Sequence, residues 1–429
     1  MDNKTREMIL QKAEEEDVEF IRLQFTDMSG ILKNIAITAG QLPRALDNKC
    51  TIDVSLVEGM KDADAGDMYL YPDPDTFTIL PWRPQQGKVA RLLCDVYRPD
   101  GSVFSESSRY ILKRSLRKAH KEGYDFFADP ECEFFLFHTD ENGLPTTTTH
   151  EKAGYLDISP LDLGENSRRD MVLTLEEMGF EIESSHHEGA PAQHEIDFRE
   201  AEGLKAADQI VTFRTTVRAI AKRHGLHATF MPKPKQNVPG SGMHIHVKLR
   251  KNGRNVFFDP DKEEGISEEA YWFTGGLLKH ARGMMVVTNP LINSYKRLVE
   301  GFEAPVQASW STRRRNTMVF LSARQEETQI EIRLPDPSAN PYLALAVILE
   351  AGLEGIQEQI DPDEVILRTG RELPENLKEA IGEARRDPLI HTVLGEKFYQ
   401  EYIERKQTEW NTYIRQVTDW EVEQYLYRI

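Results

Sequence analysis

Apolar residues recur at two spacings along this chain, and the change from one to the other divides it. In the first hundred residues they alternate with polar ones in short runs. "VEFIRLQFTDMSGILKNIAI" (18–37) predicts a strand, a turn at Met28-Ser29-Gly30 and a second strand. A period of two turns one face of the chain to a core, and turn residues interrupt it. "DMYLYPDPDTFTILPW" and "VARLLCDVY" continue the pattern, punctuated by proline and glycine. A short helix over 4–16 precedes them. Residues 1–103 therefore read as a small β-rich domain.

From "SSRYILKRSLRKAHKEGY" onward the spacing becomes helical. Ile111, Leu112, Leu116 and Ala119 form one stripe, with Gly123 as a stop. Met171, Val172, Leu175 and Met178 form another, and Ile210, Phe213, Val217, Ile220 and Ala221 a third over 206–224. Strand-like "PECEFFLF" (130–137), "HEIDF" (194–198), "MHIHVKL" (243–249) and "QIEIRL" (329–334) are interleaved with them. "YLALAVILEAGL" (342–353) is too short to span a membrane and contains Glu350, so it reads as a buried helix. Residues 104–429 read as one α+β domain, and the sequence has no internal repeat.

Composition narrows the function. With 429 residues there is room for two domains, and 39% hydrophobic with 29% charged residues is an ordinary globular balance. A formal net charge of −18 argues against nucleic acid and against an anionic membrane surface as partners. Cations held by carboxylates would reduce that charge in the folded protein. The three cysteines, Cys50, Cys94 and Cys132, have no CxxC spacing, which fits a reducing cytoplasm. The N-terminus has no apolar run of the kind a signal peptide needs.

Three strand-like segments place ionisable residues at i and i+2, hence on one face, among apolar neighbours. They are Glu131 with Glu133, His244 with His246, and Glu331 with Arg333. "HHEGAPAQHEIDF" adds Glu188 and Glu195. Crowded carboxylates in a dry place are costly unless something neutralises them. Oxygen-rich ligation favours Mg²⁺ or Mn²⁺ over zinc. Arg297, Arg313, Arg314, Arg315 and Arg333 supply guanidinium groups for carboxylates or phosphates, and the glycines of "PGSGMH", Gly240 among them, allow a close backbone approach.

With "ADPECEFFLF", "SSHHEGAPAQHEIDF", "TFMPKPKQNVPGSGMHIH", "TNPLINSYKRLVEGFEAP" and "EIRLPDPSANPYLA" in order, the chain resembles the type I glutamine synthetase family almost end to end. The resemblance implies a small β-grasp-like N-terminal domain (1–103). It also implies a larger catalytic domain (104–429) with a curved antiparallel sheet and helices. It implies an ATP-dependent ligase that activates the γ-carboxylate of glutamate as an acyl phosphate and amidates it with ammonia. By position, Glu133, Glu188 and Glu195 would hold one metal ion, and Glu131, His244 and Glu331 another. Mg²⁺ or Mn²⁺, two or more ions per site, would be the cofactor. Glu183, His246 and Arg315 match nucleotide-side positions; Tyr155, Gly240, Arg297 and Arg333 match substrate positions; Asp53, Glu303 and Arg315 match catalytic ones. The family forms dodecamers of two hexameric rings with active sites shared between neighbours.

Several positions depart from the family pattern. Leu56 replaces a serine in the loop after Asp53, Pro239 replaces an asparagine before "GSGMH", Lys248 replaces a serine, and Phe320 replaces an arginine. Asp62 stands where one subfamily has a feedback-associated arginine. An apolar Leu56 would suit a primary amine or polyamine as acceptor, which is the alternative to ammonia. Pro239 and Phe320 are the features that favour a non-catalytic relative, and the six filled metal-ligand positions oppose it.

Overall fold

A computed structural model describes residues 2–60, 66–83, 86–262 and 264–429. Asp62 lies outside them. The N-terminal segment forms a six-stranded sheet among the described residues. Leu32–Thr38, Val18–Thr26, Lys88–Tyr97, Asp67–Pro72 and Cys50–Asp53 lie side by side in that order, and Thr78–Ile79 adds to Lys88–Tyr97. Alternation along Val18–Thr26 buries Ile21, Leu23 and Phe25, and the helix Asn3–Glu15 lays Ile9 and Ala13 on the same core. The hairpin turn at Met28–Gly30 forms where it was predicted, with Gly30 at φ +77°. The pairing of Val18–Thr26 with Lys88–Tyr97 is parallel, which no local pattern announces.

The larger C-terminal part is built on a ten-stranded sheet among the described residues. Its main path runs Trp310–Ser311, Val319–Ser322, Gln329–Ile332, Met243–Lys251, Asp125–His138, Gln193–Phe198, Ile182–His187. Pairing is antiparallel except at the outer edge, where Trp310–Ser311 runs parallel to Val319–Ser322. The strand expected over 130–137 is longer, because pairing with Met243–Lys251 continues back to Asp125. One face of it carries Phe126, Ala128, Cys132, Phe134 and Leu136 into the main core. Burial pushes the Cys132 thiol up to about 12, so this side chain is packing material. Helices Gly203–Arg223, Glu268–Thr288 and Pro341–Glu358 complete that core. The last of these is the buried helix read from "YLALAVILEAGL". Its Glu350 pairs with Lys118 at 2.5 Å, which is how the acid is accommodated. No helix of the described residues is long and apolar enough to cross a membrane.

Polar joints tie the halves together. Asn340, which caps Pro341–Glu358, donates to the Met28 carbonyl at 3.0 Å. Arg109 reaches Asp73 and Asp95 of the N-terminal part at 2.7 and 2.8 Å and Asp208 of the C-terminal part at 2.8 Å. Tyr342 donates to Asp208 at 2.6 Å, and Lys113 adds a second cation at 2.5 Å from Asp95.

Candidate active site

The alternate face of the ten-stranded sheet carries the ionisable residues, and strand register assembles them. Glu133 lies across from Glu195. Glu131 lies between Asp197 on one neighbour and His244 on the other. His246 lies between Asp129 and Glu331, and Glu331 faces Phe320. Side chains directly opposite in a sheet stand about 5 Å apart, so these rows place acids and imidazoles within reach of shared ligands. Asp129 and Asp197 were not singled out in the sequence. They continue the same period-two rows and were detectable by that signal.

Two clusters result. In the first, His246 Nε2 donates to Glu131 Oε1 at 2.8 Å, while His244 Nδ1 lies 3.2 Å from Glu131 Oε2 and 3.7 Å from Glu331 Oε1. Gln329 Nε2 donates to His246 Nδ1 at 2.9 Å, fixing that ring. Burial alone would raise the Glu131 carboxyl, but the hydrogen bonds from His244 and His246 pull it well below the ordinary range. Ligand atoms of Glu131, His246 and Glu331 lie within 4.8 Å of one another, with His244 beside them.

In the second cluster, Glu188, Glu195 and His186 bring ligand atoms within 4.8 Å of one another. His186 Nε2 donates to Glu188 Oε1 at 2.8 Å. Glu133 sits beside them and accepts from Gln193 Nε2 at 2.7 Å and from the Gly242 N–H at 3.0 Å. Burial first, then the Glu188 charge, raises the proton affinity of Glu133. Burial and Glu133 do the same to Glu195. Asp129 is pushed up to about 7, mainly by burial. A face with this many carboxylates holding protons too tightly lacks positive charge.

Gly242 stands where the two clusters meet. A Cβ there would lie 2.6 Å from Arg297 Nη2 and 3.1 Å from both Glu133 Oε1 and His244 Nε2. Arg297 is only 2% exposed, and its guanidinium donates to the carbonyls of Leu334, Pro335 and Arg333. Arg333, on the open side, pairs with Glu331 at 2.7 Å. Gly240 is equally constrained: its Cβ would lie 2.2 Å from the Pro232 carbonyl oxygen.

The remaining predicted residues, Asp53 excepted, border this face. Glu303, at φ +60°, and Pro239 both approach Gly189, whose Cβ would lie 3.7 Å from Glu303 Oε2 and 3.6 Å from Pro239 Cγ. Tyr155 packs edge-on to His186 at 5.6 Å between ring centroids and feels the charges of Glu188, Glu195, Glu303 and Arg315. Glu183 is exposed, and its charge adds to the rise in the proton affinity of Asp129. Arg315 is exposed and lies over the Phe320 ring at 5.7 Å. Lys248 is spent on Glu200, at 3.0 Å, and on Glu327. Asp53 is not brought to this face. It ends the strand Cys50–Asp53 in the N-terminal sheet, accepts from the Ser55 N–H at 2.9 Å, and has the exposed Leu56 beside it.

A buried layer beneath the second cluster was not read from the sequence. Glu151 accepts from His187 Nε2 at 2.7 Å, from the Leu163 N–H at 2.9 Å and from the Ala192 N–H. His187 Nδ1 donates to the Glu188 carbonyl at 2.6 Å. Asp162 and His194 converge there too, and Arg168 supplies the cation, at 2.8 Å from each. The layer joins the segment bearing Tyr155 to the turn bearing Glu188.

The family model described as glutamine synthetase, catalytic domain, matches residues 105–425. The model described as glutamine synthetase, beta-Grasp domain, matches residues 17–99. A curated relative named glutamine synthetase from Clostridium saccharobutylicum is 51% identical over 436 residues, covering 98% of each chain. Another from Thermus thermophilus is 48% identical over 440 residues, covering 98% of this chain and 99% of the relative. A solved structure described as a GmaS/ADP complex superposes with a TM-score of 0.87 at 31% identity, covering 97% of this chain and 99% of the other.

Proposed function

Because the chain belongs to the glutamine synthetase family, we propose that it forms glutamine from glutamate, ammonia and ATP. The observation that carries the reading is the register that puts Glu131, Glu133, Glu195, His244 and Glu331 on one face, with Glu188 converging on Glu195 from the adjoining turn. ADP in the similar GmaS structure supports a nucleotide subsite on the same scaffold. The relatives' names favour ammonia over a larger amine.

The donor set fits divalent cations. It is mainly carboxylate with imidazole, and Asp197 Oδ1 is buried beside it without a hydrogen-bond partner. Two or more bound Mg²⁺ or Mn²⁺ ions would neutralise these acids and the phosphates of ATP. Glu133, Glu188 and Glu195 would hold one, and Glu131, His244 and Glu331 another.

The chain's own groups divide the remaining work. Arg333 and Arg315 face anions, the substrate carboxylates and the moving phosphoryl group. Glu183 and His246 border the nucleotide. Arg297 fixes the wall that the substrate meets, and Gly240 lets the backbone come close to it. In the first step a glutamate γ-oxygen takes the γ-phosphoryl group and ADP leaves. In the second, ammonia nitrogen attacks the acyl carbon, the bond to phosphate breaks, and the departing proton goes to Glu303. Tyr155 and Glu188 line the ammonia side. Asp53 would act on a neighbouring copy, within a dodecamer of two hexameric rings in the cytoplasm.

Purified protein with ATP, glutamate, Mg²⁺ and ammonia should release phosphate and glutamine in equal amounts. Absence of glutamine with Mg²⁺ and with Mn²⁺ sinks the proposal. Glutamylamide formation from primary amines at higher efficiency than glutamine from ammonia overturns its acceptor.

A further inference from the structure

Glu303 is exposed and sits in left-handed backbone, a conformation an ordinary residue holds only when its surroundings enforce it. Something must hold the 299–304 segment against the rest of the site. The contact is made one residue earlier. Lys233 Nζ lies 3.8 Å from the centroid of the Phe302 ring. The same ammonium donates to the carbonyl of Val238.

The two residues gripped by Lys233 directly precede the two that meet at Gly189. Val238 precedes Pro239, and Phe302 precedes Glu303. Both Pro239 and Glu303 come within van der Waals range of the Cβ position of Gly189, next to Glu188. Lys233 is itself rigidly based. Its N–H donates to Asn293 Oδ1 at 2.7 Å, and its carbonyl accepts from Asn293 Nδ2 at 3.0 Å. Its stem runs under Gly240, where a Cβ would stand 3.2 Å from Lys233 Cδ.

We propose that Lys233 is a positioning residue that clasps the 234–240 loop to the Glu303 segment, and so holds the Glu303 carboxylate over Gly189 while the acyl phosphate awaits ammonia. The proposal rests on the ligase reading for its consequence, though not for its geometry. With the clasp open, water attacks the acyl carbon, the bond to phosphate breaks, and glutamate and phosphate return with no amide formed. The clasp therefore sets how much ATP is lost to hydrolysis and how much ends in product.

The test uses Lys233→Met, which keeps the stem and removes the charge; Lys233→Arg, which restores a cation; and Phe302→Leu, which removes the ring. Two readouts are taken on the full-length protein. One is the ratio of phosphate released to glutamine formed. The other is hydrogen exchange of peptides covering 299–306 without substrates. Lys233→Met and Phe302→Leu should each raise the phosphate-to-glutamine ratio about fivefold, the factor a partly desolvated cation–π contact is worth. Both should speed exchange in that segment, and Lys233→Arg should restore most of each effect. An unchanged ratio and unchanged exchange in both variants overturn the clasp. If the wild type makes no glutamine, the ligase reading fails, and exchange alone still decides the clasp.

Discussion

Gly242→Ala puts one methyl group at the junction of three functional side chains, and the distances set its cost. The new carbon would stand 2.6 Å from Arg297 Nη2, closer than carbon and nitrogen tolerate. Arg297 cannot retreat freely, because it is buried and bound to the carbonyls of Leu334, Pro335 and Arg333. Overpacking of this kind costs about 1–3 kcal/mol. Losing one hydrogen bond from a charged donor adds about 1.5–3 kcal/mol. A destabilisation of roughly 3–5 kcal/mol should lower the melting temperature by about 4–8 °C in a domain this large. Glu133 Oε1 and His244 Nε2, each 3.1 Å from the new carbon, would also recede by a few tenths of an ångström. Misplacement on that scale should lower kcat/KM for glutamate by about threefold to tenfold. The control is Gly382→Ala, in the helix Leu377–Arg386, where a Cβ meets nothing within 4 Å. There the change should be neutral or stabilising by about 0.5–1 kcal/mol. Scanning fluorimetry and glutamine formation read both variants. If Gly242→Ala melts and turns over like Gly382→Ala, the close approach at Gly242 is not what organises the site.

Glu151→Gln replaces one of two acceptor oxygens with a donor that faces an N–H, so it should cost about 2–4 kcal/mol. It should also weaken Mg²⁺ binding measured by calorimetry, because the Glu188 backbone loses its anchor through His187. Arg109→Met leaves three carboxylates with one partner fewer and should destabilise by about 3–5 kcal/mol, read as a lower denaturation midpoint. Chelation at neutral pH should cause proton uptake in weak buffer, because Glu133, Glu195 and Asp129 bind protons more tightly than ordinary carboxylates when no cation is present. The same shifts fix the pH dependence of the metal-free protein. These groups hold more protons folded than unfolded, so their contribution to stability is full below about pH 4 and fades as pH rises toward about 7 and beyond. A melting temperature of the chelated protein that rises over that window would contradict this sign.

What the sequence revealed follows from locality. Alternation at period two showed which face of each strand bears Glu131, Glu133, His244, His246 and Glu331, whereas their meeting across strands was implied by the family resemblance and not by periodicity. Asp129 and Asp197 obey the same rule and were passed over because they lie at the margins of the recognised motifs. The Glu151–His187–Asp162–His194 layer was illegible for another reason. Its members come from separate strands and loops, and although His187 reads as structural in the sequence, nothing local pairs it with Glu151, Asp162 and His194 until the fold buries them together. The parallel pairing of Val18–Thr26 with Lys88–Tyr97 joins residues about seventy positions apart, which periodicity cannot report. Arg297 appeared in the sequence as a substrate grip, yet three carbonyls claim its donors, a commitment visible only in three dimensions.

The charge hub at Arg109 has a consequence for how such chains can be recombined. Arg109, Lys113 and the buried Arg91 balance Asp73, Asp95 and Asp208 across the seam. Removing Arg109 leaves Asp73, Asp95 and Asp208 short of a cation, and removing the acids leaves Arg109 uncompensated in a dry place. The orientation of the two parts is thus inherited as a block. A chimera joining residues 1–103 of one relative to residues 104–429 of another should fold cooperatively only when the acids and the cations come as a matched set, however similar the two cores are elsewhere.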